Sequence, residues 1–139
     1  MKRFALVFSL LAGPVAAGPC GPALDHDIVL LEAAKAAFLA ADYTKFAEMA
    51  GDYFPDLETK FDNYFGQIQV VFPNGYDRCQ TVLQRREDPG FYQDLVFYFP
   101  KGSDAPMALL LIAAKVGSDI RLIEFTYNTS ISAVLDELK

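Results

Sequence analysis

With two cysteines and one histidine in 139 residues, this chain has few places where side-chain chemistry could start. Cys20 and Cys79 allow a single intramolecular pair. In an oxidising compartment that pair is expected to be a disulfide tying the N-terminal tail to a strand. Loop-entropy reasoning credits a bridge across roughly 60 residues with about 4 kcal/mol. Free or intermolecular cysteines are the alternative. There is no Cys-x-x-Cys spacing to poise a thiolate for redox work. His26 stands between Asp25 and Asp27. Neighbouring helix positions point in different directions, so these three side chains do not converge on a metal. They read as an exposed first helical turn. No Ser-His-Asp set can be built around that one histidine. No glycine-rich nucleotide loop, Walker loop or basic-aromatic surface occurs. The sequence therefore assigns no catalytic residue, no metal and no cofactor.

Four residues remain as ligand-binding candidates: Tyr98, Arg85, Arg121 and Glu124. Arg85 and Arg86 precede Glu87 and Asp88, where a guanidinium could clamp a substrate carboxylate or simply close a strand-end salt bridge. Arg121 and Glu124 share the last strand, where cross-strand pairing competes with a pocket role. Tyr98 belongs to a set of seven tyrosines which, with 12 phenylalanines and no tryptophan, either fill a core or line an apolar cavity. Asn128-Thr129-Ser130 matches a glycosylation sequon, relevant only in a eukaryotic host.

Apolar residues make up 53% of the chain and aromatics 14%, which excludes low-hydrophobicity disorder. Eighteen acids against 12 Lys and Arg give a net charge of −6. Nucleic acid or an acidic membrane surface is therefore not an expected partner.

Residues 1–17 read as a secretory signal peptide. Lys2 and Arg3 precede the apolar run Phe4 to Leu11, and Val15-Ala16-Ala17 supplies small residues before Gly18. The run is too short to span a bilayer, so no membrane insertion is expected after cleavage. Acylation of Cys20 is disfavoured, because Ala17-Gly18-Pro19 lacks the Leu and the small final residue of a lipobox. The mature chain, 18–139, is one domain with net charge −8, bound for the periplasm or the exterior.

A helix is predicted from Ala23 to Ala41 on the stripe Leu24, Ile28, Leu31, Ala34 and Phe38. A second follows, capped by Asp42 or Thr44, with Phe46, Met49, Ala50 and Tyr53 on one face and Gly51 near its end. Residues 56–72 fit a helix through Leu57, Phe61, Tyr64, Phe65, Ile68, Val71 and Phe72. A strand using Ile68, Val70 and Phe72 with an Asn74-Gly75 turn is the shorter alternative. Four strands are predicted at 76–86, 91–99, 106–116 and 119–127, with Pro- and Gly-bearing links too short for anything but antiparallel pairing. A short helix at 130–138, capped by Thr129 or Ser130, ends the chain. The class is α+β: N-terminal helices packed on a curved four-stranded antiparallel meander, with a short C-terminal helix.

The middle strands are apolar on both faces. Phe91, Leu95, Phe97 and Phe99 oppose Tyr92, Val96 and Tyr98 in the second, and the third alternates Met107, Leu109 and Leu111 with Ala108, Leu110 and Ile112. Helices cover one face. The C-terminal helix or a second copy, giving a homodimer, must cover the other. Ile123, Phe125 and Tyr127 are expected to face the core and Glu124 to face away.

Helices cupped by a curved meander over 23–127 resemble the NTF2-like (cystatin-like α+β) superfamily, in particular its small secreted members. Two departures stand out. There is no room for the small hairpin that fold often places between its second and third helices. The cavity Asp and Tyr, or Asp–His pair, of its enzymes cannot be placed. The resemblance implies a cone-shaped cavity able to hold a small apolar ligand. The expectation is a non-enzymatic ligand-binding or interaction module. The alternatives are a cone-cavity isomerase or hydrolase, which needs a deep carboxylate of raised pKa, and an accessory or inhibitor-like protein acting through an exposed apolar patch.

Overall fold

A computed structural model of the chain describes residues 18–21, 27–57 and 59–138. The predicted leader, the start of the first helix at Ala23, and His26 lie outside them. Helices α1 (Val29–Leu39) and α2 (Tyr43–Ala50) come first. A 3-10 turn (Gly51–Tyr53) follows, then a π-helical turn (Asp62–Gly66) that runs into α3 (Gln67–Val71). Strands β1 (Tyr76–Glu87), β2 (Phe91–Pro100), β3 (Met107–Val116) and β4 (Asp119–Asn128) form one antiparallel sheet in sequence order. Helix α4 (Ile131–Leu135) ends it. The α+β class and all four strands match the sequence reading.

Where helices differ from expectation, local chemistry explains it. Ile28 is extended (φ −93°, ψ 112°), so α1 begins at Val29. Its β-branched side chain packs against the core from outside the helix. Asp42 caps α2, its carboxylate accepting from the Lys45 amide at 3.0 Å. Gly51 takes φ +51° and unwinds the end of α2, which throws Tyr53 outward instead of onto the stripe. Residues 55–57 and 59–60 are turns, not the first part of a long helix. The Asp56 carbonyl accepts both from the Thr59 hydroxyl at 3.1 Å and from the Lys60 amide at 2.8 Å, a single turn. Leu57 is still buried from that turn. Ser130 occupies the α4 N-cap position without a side-chain cap bond. Its amide instead donates to Asn128 Oδ1 at 2.8 Å.

The helices bury the inner face of the sheet. Leu31, Ala34 and Phe38 of α1 and Phe46 of α2 pack with Phe65 and Ile68 against Val96, Tyr98, Leu109 and Leu111. Phe38 lies within 5.9 Å, centroid to centroid, of five aromatic rings. On the outer face, Val134 of α4 is fully buried over Leu95, Ala108, Leu110 and Ile112, with Ile131 and Leu138 beside it. The C-terminal helix thus supplies the second cover that β3 requires.

Bulges decide which residues reach which face. Register slips leave Asp77 and Val82 as extra residues in β1 and Ile123 in β4. After Val82 the alternation reverses, so Leu83 turns outward beside Leu95 while Gln84 lies opposite inward-facing Asp94. After Leu122 the same reversal sends Ile123 to the outer cluster, correcting its expected core position. Phe125 and Tyr127 do face the helices. Glu124, opposite Ile112, lies on the outer face.

Cys20 and Cys79 form the expected disulfide, and the Cys20 carbonyl accepts from the Thr81 amide at 2.5 Å. The N-terminal segment is thereby held against the free edge of β1. With a sequence separation of 59 between the cysteines, the double variant Cys20→Ala/Cys79→Ala is expected to lose about 2–4 kcal/mol of unfolding free energy. Urea titration should show this as a lower midpoint with an unchanged far-ultraviolet circular dichroism spectrum.

Candidate functional site

The sequence-picked ligand residues do not converge. Tyr98 is fully buried, its hydroxyl donating to the Lys35 carbonyl at 3.1 Å. Arg85 pairs with Glu87 at 2.5 Å in an exposed strand-end salt bridge. Arg121 pairs with Asp119 at 3.1 Å, also exposed. Arg85 and Glu124 sit in one cross-strand row on the outer face, Arg85–Gln93–Ile112–Glu124, with two strands between them. The Arg85 and Arg121 salt bridges are surface pairings on the face of the sheet away from α1, α2 and α3.

Two features that sequence reasoning missed stand out instead. The first is a buried charge cluster. Asp94 on β2 is 0% exposed and Lys35 on α1 is 1% exposed. Lys35 Nζ lies 2.6 Å from Asp94 Oδ2 and 2.5 Å from Glu32 Oε1. Arg86 reaches Asp94 Oδ1 at 2.5 Å, and the Gln84 amide donates to Oδ2 at 3.4 Å. Arg86 also donates to the Gln93 carbonyl at 3.2 Å, which ties it to the β2 backbone beside Asp94. The deep acid a cone-cavity enzyme needs is present, but both its oxygens are taken by cations. A carboxylate so held accepts charge-assisted bonds and has no free face for a substrate.

The second feature is a cavity of about 260 Å³ where α3 meets the ends of β3 and β4. Ile68, Val71, Phe72, Met107 and Tyr127 supply its apolar wall. Gln67, Asn128 and Thr129 supply neutral polar groups. Asp94 and Lys35 are not among its lining residues. The π-helical turn just before α3 adds a residue to the helical repeat. Ile68 and Phe65 face inward, whereas Val70 and Val71 stay exposed. Met107 connects the cavity to the tyrosines: the Tyr76 hydroxyl donates to its sulfur at 3.7 Å and lies 3.0 Å from the Tyr43 hydroxyl. The Tyr127 hydroxyl donates to the Tyr64 carbonyl, which joins β4 to the π turn. A further hollow at the opposite end of the sheet, bounded by Glu87, Asp88, Pro89 and Lys115, consists largely of exposed turn residues.

Burial, the largest cause in each case, raises the phenol pKa of Tyr43, Tyr76, Tyr98 and Tyr127. For Tyr98 the Glu32 and Asp94 carboxylates raise it further. For Tyr76 the Tyr43 hydroxyl does so. Among the described residues no group of three His, Cys, Asp or Glu side chains could hold a metal ion, and no helix is long and apolar enough to cross a membrane.

Two outcomes test this geometry. Lys35→Met or Asp94→Leu alone leaves the other charge buried without its partner, at a cost of about 3–5 kcal/mol. The double variant should cost much less than the sum, since Arg86 and Glu32 are partly exposed and can turn to water. Chemical denaturation of the four species reads that cycle. The tyrosines set an alkaline limit. Their raised folded-state pKa means the folded chain holds neutral phenols that the unfolded chain would ionise near pH 10. Their contribution is full below about pH 10 and falls as pH rises above it. The phenolate absorbance of these four should therefore rise in one step, together with the loss of circular dichroism.

Compared with known proteins, the chain matches no family model, no curated protein and no solved structure.

Proposed function

We propose that this chain is a non-enzymatic, exported ligand-binding module of NTF2-like kind, taking a small molecule between α3 and the ends of β3 and β4. The observation that carries the reading is the cavity itself: a buried floor of Ile68 and Met107 with a neutral polar rim. Binding sites of small molecules have this composition, an apolar body with a few polar groups that orient the ligand. The ion pairs on Asp94 favour a structural role for the one fully buried acid among the described residues, and so favour binding over catalysis. Export is supported by the Cys20–Cys79 bridge, which persists outside reducing compartments.

A second reading, the homodimer, has its own observation. Beyond the reach of α4, the β1–β2 half of the outer face leaves Val82 at 43% and Leu83 at 38% exposure, with Phe97 partly open beside them. A second copy packed there would also cover the Arg78 guanidinium, which stacks 3.5 Å over the Phe99 ring.

Native mass spectrometry of protein exported without reductant tests both readings. The expected spectrum carries a small co-purified mass that disappears in Ile68→Phe, where the added ring fills the cavity floor. Bare protein in both forms, with no small molecule retained, counts against the binding reading. A dimer peak lost in Leu83→Lys supports the second reading, and a monomer throughout ends it.

A further inference from the structure

We infer that the cavity between α3 and the β3–β4 ends selects an uncharged amphiphile of on the order of ten non-hydrogen atoms, a short chain or single ring bearing one hydroxyl or amide. The inference rests on the binding reading above and names the class of ligand. Three observations on the same site carry it.

The first is charge. Among the described residues, no acid or base lines the cavity. The groups that could meet a ligand head are the amides of Gln67 and Asn128 and the hydroxyl of Thr129. Neutral donors and acceptors satisfy a hydroxyl or an amide. They do not repay the desolvation of a carboxylate or an ammonium, whose burial needs an opposite charge. The nearest deep cations, Lys35 and Arg86, are already engaged with Asp94 and Glu32 and stand outside the lining. The chain's net charge of −6 adds a general penalty against anions.

The second is size. A volume of about 260 Å³ holds roughly nine waters at the liquid density of water. It falls just below the range of pockets that take drug-sized ligands, roughly 300–1,000 Å³. A polycyclic or long-chain ligand would have to leave much of its surface in water.

The third is the arrangement of the walls. Ile68 and Met107 are buried at the floor, while Gln67, Asn128 and Thr129 are exposed. An amphiphile entering tail first places its apolar end against the floor and its polar head at the rim. Asn128 is fixed for that role, because its Oδ1 accepts from the Ser130 amide at 2.8 Å, which orients its side-chain amide.

The test uses octan-1-ol, octanamide and octanoate, which share a tail and differ in head-group charge. Isothermal titration calorimetry on the unaltered chain reads binding, so that no substitution changes the volume or the rim of the cavity. Titrations run at pH 7 with the disulfide intact, in 0.15 M and again in 0.5 M salt. Expected is saturable binding of the alcohol and the amide, at least tenfold tighter than octanoate. The preference should persist at high salt, where long-range repulsion is screened. Along the alcohols from pentanol upward, affinity should rise roughly fourfold per methylene and then level off near nine non-hydrogen atoms. Octanoate binding as tightly as octanol, or a gain that continues through dodecanol, overturns the inference while leaving a binding site in place. Saturation by none of the three at two well-separated temperatures, with the chain folded by circular dichroism, overturns the binding reading and the inference with it.

Discussion

The arrangement depends on one buried interaction, the Asp94 carboxylate held between Lys35 and Arg86. Three elements meet there: α1 supplies the lysine, β1 the arginine and β2 the acid. Taking Asp94 and Lys35 out of water is costly unless both charges are paired in good geometry. That cost makes the pairing specific. An α1 rotated by one residue, or a β1 slipped in register, would leave a buried charge without its partner. The aromatic core could tolerate some repacking, since Phe38, Phe46 and Phe65 have several rings to lean on. The ion pairs have one solution.

The β1 bulge belongs to the same constraint. Without the extra residue at Val82, strict alternation would put Leu83 on the helix side and Arg86 on the outer face. The bulge exchanges them. Arg86 gains Asp94, and Leu83 is left half-exposed on the outer face. The apolar strip proposed for a second copy is thus the consequence of placing an arginine in the core. The disulfide acts on the same strand, pinning residue 20 opposite Thr81, one residue before the bulge. Edge pairing there shields part of the backbone that a free β1 edge would offer to another chain.

Much of this was legible in the sequence. Pro- and Gly-bearing links set the strand bounds within one or two residues, and two-sided hydrophobicity in 91–99 and 106–116 required a second cover that α4 supplies. What periodicity cannot show is an inserted residue. The bulges at Val82 and Ile123 reverse the face of everything beyond them, which is why Ile123 was expected in the core and Leu122 was not. The charge cluster did leave a trace. Lys35 sits within the buried stripe Leu31, Ala34 and Phe38, and Asp94 is the one acid in the inward row Tyr92, Val96, Tyr98. A lone base in a buried helical stripe and a lone acid in a buried strand row predict each other. Arg85, Arg121 and Glu124 carry charge on strands, where surface pairing is the commoner fate, so charge alone does not mark a ligand site. The cavity left less trace, because the π turn that sets the α3 face depends on hydrogen bonding that sequence spacing does not display.

The two missed features divide the inner layer of the molecule between them. Asp94 and Tyr98 lie four residues apart on β2, about 13 Å along the strand. Around Asp94 the space between α1 and the sheet is filled by paired charges. Beyond Tyr98, past the contact between Tyr76 and Met107, charged groups give way to phenols and then to the neutral rim at Asn128. The Tyr98 hydroxyl stands at the change, bonded to the backbone of the very lysine that holds Asp94. A ligand of the proposed kind would therefore meet, inside the rim, a wall whose tyrosine hydroxyls are already engaged by the protein. On the binding reading proposed above, affinity would come from apolar contact and from one head-group bond at the surface, while the buried charges hold α1 and the sheet that back that wall.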